Sequence, residues 1–369
     1  MIIGFDGKRF FHNNTGLGNY SRSLIKVLSD YYPDNEYLLY NPKKNNRYTL
    51  ANFNKSVKEI LPEKFLSKYF KSLWRLWFVS DSIEKNTTIF HGLSGEIPLG
   101  LPKNVKKVVT IHDLIFIRYP KLYSYFDRKT HFFKFKYAAQ KSDVVVAISQ
   151  QTKNDIVSFL KIPEDKIKVI YQGCNEVYKQ VFTEIEIKNT LKKYNLPHEY
   201  ILNVGTIEKR KNLLILLKSI TKTNKNVVVI GKKTAYFKEI WSFIVLNNLQ
   251  KQVFFLKDLT LEEMAMIYQK STLFVYPSIF EGFGIPIIEA LYSKTPVITS
   301  IGSCFFEAGG NNSVYINPEE SEELRKEIDF LWKNPSKRIE MQEKGCQFVQ
   351  KFNDDIIAQN WQNLYQSLL

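Results

Sequence analysis

Phe274-Val275-Tyr276-Pro277-Ser278-Ile279-Phe280-Glu281-Gly282-Phe283-Gly284-Ile285-Pro286-Ile287-Ile288-Glu289 reads as a strand, a glycine-bearing loop and the opening of a helix. The apolar run 273–277 has the length and composition of a strand buried on both faces. Pro286 suits the first turn of a helix, where the amide it lacks has no intrahelical partner to lose, so a helix is expected over 285–293. Gly282 and Gly284 fall in the loop that leads into it. Glycine lets a backbone approach a ligand closely, and the free amides of a helix start attract anionic or hydroxyl-bearing groups. Glu281 stands before the helix and Glu289 about one turn or two inside it, so both carboxylates can line one mouth. Taken alone, Glu289 reads equally well as a partner of the helix dipole and Glu281 as a surface loop residue.

The same strand–helix alternation extends in both directions and implies parallel sheets with crossover helices, an α/β fold. Strands are expected over 2–6, 36–40, 88–91, 107–112, 144–149 and 168–172, then over 200–205, 227–231, 253–256, 273–277, 297–300 and 314–317. Helices with 3.6-residue periodicity fall at 17–31, 212–223, 261–270 and 285–293. Six strands followed by six more read as two Rossmann-like domains, 1–173 and 174–352, with a hinge near 173–178. Two more helices are expected at 338–350 and 354–368. In the second of these Ile357, Trp361, Leu364 and Leu368 form one apolar stripe, which by itself reads as cover for the second sheet.

The composition agrees with two packed domains: 369 residues, 44% apolar and 24% charged, which excludes wholesale disorder. Cys174, Cys304 and Cys346 are odd in number and lack metal-ligand spacing, which points to a reducing compartment and away from a disulfide framework or a zinc site. Met1 runs directly into the first strand, and no stretch reaches the ~20 apolar residues of a membrane span. The expected location is therefore cytoplasmic, with any membrane contact peripheral, on the inner face of the plasma membrane.

A second cluster follows the strand 200–205. Gly205-Thr206-Ile207-Glu208-Lys209-Arg210-Lys211-Asn212 puts cations on a loop at the carboxyl end of a parallel strand, well placed to grip phosphates; an exposed charged loop is the plainer reading. In the first half, Gly16-Leu17-Gly18-Asn19-Tyr20 opens a helix, with Ser21 where a dinucleotide fingerprint has its third glycine. His112-Asp113 ends the strand 107–112, though a lone histidine is more often structural than functional. Ser149 is placed to cap the helix that follows.

Together these motifs resemble the retaining GT-B glycosyltransferases, in particular glycosyltransferase family 4. The resemblance rests on Glu-Gly-Phe-Gly-x-Pro-x-x-Glu at 281–289 with Phe274-Val275-Tyr276-Pro277-Ser278 before it, and on Gly-x4-Arg-Lys-Asn at 205–212. It runs from Gly16 through the final helices. It implies a GT-B fold with a cleft between two Rossmann-like domains, the first binding acceptor and the second a nucleotide-sugar donor, and a last helix, about 353–369, that crosses back to the first domain. It implies that Glu289 holds the donor's ribose and that Glu281 and His112 lie by the transferred sugar. The amides of Gly282, Phe283 and Gly284 would contact that sugar, Arg210 and Lys211 the diphosphate together with Gly205, and the loop of Gly16 and Gly18 would close over the phosphates and the acceptor. Departures exist: Gly173-Cys174-Asn175 replaces the Gly-Val-Asp common at the interdomain turn.

The expected activity is hexose transfer, GDP-mannose being the favoured donor, to a growing surface glycan or lipid-linked acceptor, with retention of configuration. No Asp-x-Asp metal clamp occurs, so fixed cations and amides are expected to carry the leaving-group charge, with no metal and no cofactor. A nucleotide-sugar 2-epimerase shares the architecture and stands as the alternative.

Charge is uneven. Residues 1–173 hold 28 Lys/Arg against 15 Asp/Glu, whereas 174–369 hold 24 against 22. Residues 64–78, with Lys64, Lys68, Lys71 and Arg75 among aromatics, and the basic stretch 102–141 point to an anionic membrane surface; core packing with a solvated basic face is the other reading of 64–78. A basic nucleic-acid-binding protein is a further reading of the charge, but no recognised binding motif supports it, and no nucleic-acid partner is expected.

Overall fold

The computed structural model describes residues 1–44, 47–62, 83 and 86–369; the cationic, aromatic helix expected at 64–78 lies outside them. The chain divides into two compact units, residues 1–173 with 352–369, and residues 174–351.

Among the described residues the first unit is built on seven parallel strands in the order β3-β2-β1-β4-β5-β6-β7: β1 (Ile2–Asp6), β2 (Glu36–Tyr40), β3 (Val57–Ile60), β4 (Ile89–Gly92), β5 (Lys106–Ile111), β6 (Val144–Ala147) and β7 (Ile167–Val169). The second has six, in the order β10-β9-β8-β11-β12-β13: β8 (Ile201–Val204), β9 (Val227–Ile230), β10 (Val253–Leu256), β11 (Leu273–Tyr276), β12 (Val297–Ser300) and β13 (Val314–Ile316). Each sheet reverses its strand order once, beside β1 and beside β8, which is the Rossmann-like arrangement. The principal helices are α1 (Gly16–Tyr31), α2 (Tyr125–Lys141), α3 (Leu213–Ile220), α4 (Leu261–Lys270), α5 (Ile285–Tyr292), α6 (Pro335–Val349) and α7 (Asp354–Gln366).

The first sheet has seven strands among the described residues rather than the six read from sequence. β3 was missed because Val-Lys-Glu-Ile lacks an apolar run: among the described residues it pairs on one side only, from Tyr37↔Val57 to Tyr40↔Ile60, and of its four residues Val57 alone is buried. An edge strand needs one partner and tolerates charge; here Lys58 pairs with Glu36 on β2. Helix α3 is shorter than the expected 212–223, because Asn212 before it is left-handed, at φ 56°, and Thr221 leaves the helical conformation, at ψ 133°.

Central strands such as Val227–Ile230 and Leu273–Tyr276 are buried at every position, as two-sided cover requires. In the first unit, α7 packs on α1. Ile357, Trp361, Leu364 and Tyr365 enter the same core as Ile3, Phe5, Leu24 and Leu28. A polar tie crosses this core. The His91 ring is 2.8 Å from the Tyr365 hydroxyl and 2.7 Å from Thr110 Oγ1, and its centroid lies 4.7 Å from that of Trp361. Burial, with the neighbouring His112 adding to it, lowers the His91 pKa to about 3, so the imidazole is neutral and structural. Among the described residues, no helix is long and apolar enough to cross a membrane.

Trp361 is 1% exposed and joins α7 to the first unit. Trp361→Ala should lower that unit's stability by about 3–5 kcal/mol in urea unfolding followed by far-UV circular dichroism. A loss below about 1 kcal/mol would contradict this packing.

Candidate functional site

The second sheet reverses between β8 and β11, and the loops leaving the carboxyl ends of two such strands diverge to leave room for a ligand. Both sequence motifs of this unit sit there. After β8, Gly205 leads into a single 3-10 turn, Lys209–Lys211, and Asn212 follows with its side-chain amide donating to the Pro318 carbonyl (2.7 Å). After β11, the loop 277–284 reaches α5, whose N-cap, Gly284, has φ 99°. A side chain there would strain the backbone, so this glycine is needed for the turn itself.

The two loops are stitched together. The Ile279 amide donates to the Arg210 carbonyl (2.9 Å). The Arg210 guanidinium donates to the Phe280 carbonyl (2.5 Å) and to Glu208 (2.6 Å). It also lies 2.7 Å from Glu281 Oε1, and Lys211 Nζ lies 2.7 Å from the same oxygen. Ser278 Oγ (2.6 Å) and the Tyr276 hydroxyl (3.1 Å) donate to Oε1 as well, while Lys211 Nζ donates to the Tyr276 hydroxyl (2.5 Å). All four donors therefore converge on one carboxylate oxygen.

Burial by itself would raise the Glu281 pKa, but Lys211 and Arg210, by charge and with a Lys211 hydrogen bond, lower it to about 2. For Arg210, burial would lower the pKa; Glu281 reverses the direction and holds the guanidinium above its ordinary value. The main chain of Glu281 is clamped too. Its amide donates to Ser303 Oγ (3.2 Å), and that hydroxyl donates to its carbonyl (3.0 Å).

Glu289, half-buried on α5, stands apart from this cluster. Its Oε2 accepts from the Tyr268 hydroxyl of α4 (2.9 Å), and the Tyr268 ring meets Tyr178 edge-on at 5.5 Å. Burial raises its pKa to about 7, against the opposing effect of the Tyr268 hydrogen bond. One glutamate is thus held firmly ionised while the other is poised near neutrality. Phe283 is buried, so the residue between Gly282 and Gly284 anchors the loop by its ring.

In the first unit, Gly16 and Gly18 lie in the first turn of α1. Gly18 is required by close packing, since a Cβ would fall 1.9 Å from the Asn13 carbonyl oxygen; Gly16 has open space about it. His112 follows β5 with both ring nitrogens engaged. Nε2 donates to the Leu93 carbonyl (2.9 Å), and Nδ1 accepts from the Gln172 amide (3.2 Å). Burial lowers its pKa to about 4 despite the Leu93 hydrogen bond, so it is a neutral ring and a weak base. Ser149 caps its helix through the Thr152 amide (3.0 Å).

Arg210, Lys211 and Glu281 thus come into direct contact, whereas Gly16, Gly18 and His112 belong to the other unit. Sequence reasoning passed over Tyr268, Tyr276, Ser278 and Ser303. Tyr276 and Ser278 stood inside the quoted stretch but looked like strand and turn residues. A tyrosine in the apolar stripe of α4 was the signal for Tyr268, and Ser303 gave none.

Residues 184–348 match the family model described as glycosyl transferases group 1, and residues 39–177 match that described as glycosyltransferase family 4. The chain is a glycosyltransferase of the GT-B fold. It is 29% identical to the O-antigen chain mannosyltransferase RfbU of Salmonella typhimurium, over 72% of this chain and 69% of that one. It is 23% identical to the O-antigen chain mannosyltransferase B of Escherichia coli, over 85% and 86%. Among solved structures it resembles the sucrose-phosphate synthase of Thermosynechococcus elongatus (TM-score 0.79, 19% identity, 100% and 99% covered). It also resembles Anabaena HepE in complex with UDP-glucose (TM-score 0.76, 16% identity, 99% of each chain).

Tyr268→Phe removes the hydrogen bond that holds the Glu289 pKa down. The carboxyl should therefore titrate above about 7, measured by carbon-13 NMR of glutamate-labelled protein. An unchanged or lowered midpoint would contradict the contact.

Proposed function

We propose that this protein transfers a hexosyl group from a nucleoside diphosphate sugar to a growing, lipid-linked surface glycan, with retention of configuration and without a metal. The observation that supports it most is the convergence of Arg210, Lys211 and Glu281, beside a glycine-led helix start, at the carboxyl ends of β8 and β11. When the bond from the sugar's anomeric carbon to the diphosphate breaks, negative charge grows on phosphate oxygens. Arg210, Lys211 and the amides of Gly282, Phe283 and Gly284 are the groups that would stabilise it. Glu289 would accept the ribose hydroxyls. The names of RfbU and the Escherichia coli relative, both O-antigen chain mannosyltransferases, support a mannosyl donor, GDP-mannose first, and a surface-glycan acceptor.

Retention would follow from attack on the face the phosphate leaves, with the acceptor's hydroxyl proton passing to a leaving phosphate oxygen. The side chains support that route by elimination. Glu281 has one oxygen loaded with four donors and a pKa of about 2, which makes it a weak nucleophile and a weak base. His112 is neutral with both nitrogens engaged. The amphipathic nature of a lipid-linked acceptor fits the first unit's excess of positive charge. On its surface Tyr125, Phe126 and Phe133 of α2 are 61%, 80% and 65% exposed beside the exposed Lys121 and Lys129, a combination suited to an anionic bilayer interface.

With GDP-mannose as donor, Glu289→Ala should raise the donor KM about tenfold or more, and Lys211→Ala should mainly lower kcat, by about a hundredfold. Activity should persist in chelator, and NMR of the product should show the donor's anomeric configuration. Full activity in both variants, or loss with chelator, would count against this site.

The pH dependence is a separate test. A carboxyl at about 7 is mostly protonated at pH 6 and mostly ionised at pH 8, so affinity for the nucleotide sugar should rise by up to about tenfold between them. Glu289→Gln should flatten that slope, as read by calorimetry. For membrane contact, the protein should pellet with anionic but not neutral vesicles at low salt.

A further inference from the structure

A diphosphate site built only for attraction would present its cations unpaired. Here the cations are already matched: Arg210 sits between Glu208 and Glu281, and Lys211 shares Glu281 with it. Two positive charges face two negative ones. The contact is enclosed, with side-chain exposures of 14%, 16% and 12% for Arg210, Lys211 and Glu281, so solvent screens it little. Ser278 of the same loop and Tyr276 at the end of β11 hold Glu281 Oε1 at this point, and Ser303 fixes the main chain behind it. The carboxylate is therefore built into place.

We propose that Glu281 is an internal counter-anion of the diphosphate site, which competes with the donor's diphosphate for Arg210 and Lys211 and pairs with them again as the nucleoside diphosphate departs. The proposal rests on the donor-site reading above and gives it a regulatory element. An incoming diphosphate meets a like charge already seated on its cations, so its affinity is held down, and the same carboxylate restores the cations' pairing once transfer is complete. Tight grip on the product is traded for turnover. Because the Glu281 pKa lies at about 2, this competitor stays charged throughout the range in which the protein is handled.

The test is calorimetric titration of wild-type protein and Glu281→Gln with GDP, UDP and inorganic pyrophosphate at constant ionic strength. Glutamine keeps the shape and removes the charge. Glu281→Gln should bind the better of the two nucleoside diphosphates, and pyrophosphate, about tenfold more tightly or more, while multiple-turnover activity falls. A residue that only shapes the loop would weaken binding when altered, so tightening is the discriminating sign.

In a Lys211→Ala background the gain should shrink, because one of the two contested cations is gone. If Glu281→Gln fails to fold, Glu281→Asp keeps the charge but withdraws it by one methylene, and it should tighten binding to a smaller degree. Unchanged or weaker binding in a folded variant overturns the counter-anion role and leaves the donor site standing. A wild-type protein that binds no nucleoside diphosphate and transfers no sugar overturns the donor-site reading, and this proposal with it.

Discussion

The contact of Arg210 with Glu281 is what makes one site of two loops that are distant in the chain. Arg210 belongs to the turn after β8 and Glu281 to the loop after β11, and these strands are neighbours in the sheet. Taking two charges out of water is costly, and their attraction compensates only where geometry and further hydrogen bonds are good. Here the surroundings meet that condition. Ser278 and Tyr276 bind the carboxylate, Phe280 and Glu208 bind the guanidinium, and the Ile279 amide closes the backbone between the loops. Removing one partner would leave the other buried and uncompensated, so the cluster behaves as a unit.

The two glutamates of the motif, separated by eight positions, live in different electrostatic surroundings. Glu281 is held ionised by adjacent cations, whereas Glu289, with a phenol as its nearest partner, is raised by burial. Two carboxylates kept apart in this way suit different tasks, one as permanent charge and one as a titratable hydrogen-bonding group. The first unit shows the same economy with histidines. His91 and His112 are both driven neutral by burial, one tying α7 into the core and the other fixed between Leu93 and Gln172.

The match in fold to solved structures at 16–19% identity reflects what such a fold demands. Any sequence that places buried apolar runs where two parallel sheets need them, and glycines where loops must approach α1 and α5, satisfies the architecture. The conditions on the site are stricter, because Arg210, Lys211, Ser278, Glu281 and Ser303 must each reach a particular partner.

Sequence alone determined the α/β alternation, twelve of the thirteen strands found among the described residues and the two charged motifs, because buried parallel strands are continuous apolar runs and helix starts carry proline and glycine signatures. It missed β3, whose edge position relaxes the apolar requirement, and it placed the end of α3 too late, since nothing in the local run announces that Thr221 leaves the helical conformation. Only the tertiary structure decided that Tyr268 meets Glu289 and that Tyr276, Ser278 and Ser303 hold Glu281; the return of α7 to the first unit was implied by the family resemblance, while its apolar stripe alone read as cover for the second sheet. Such contacts depend on which strands become neighbours and where each side chain then points, and that information resides in the packed sheet rather than in any local run of residues.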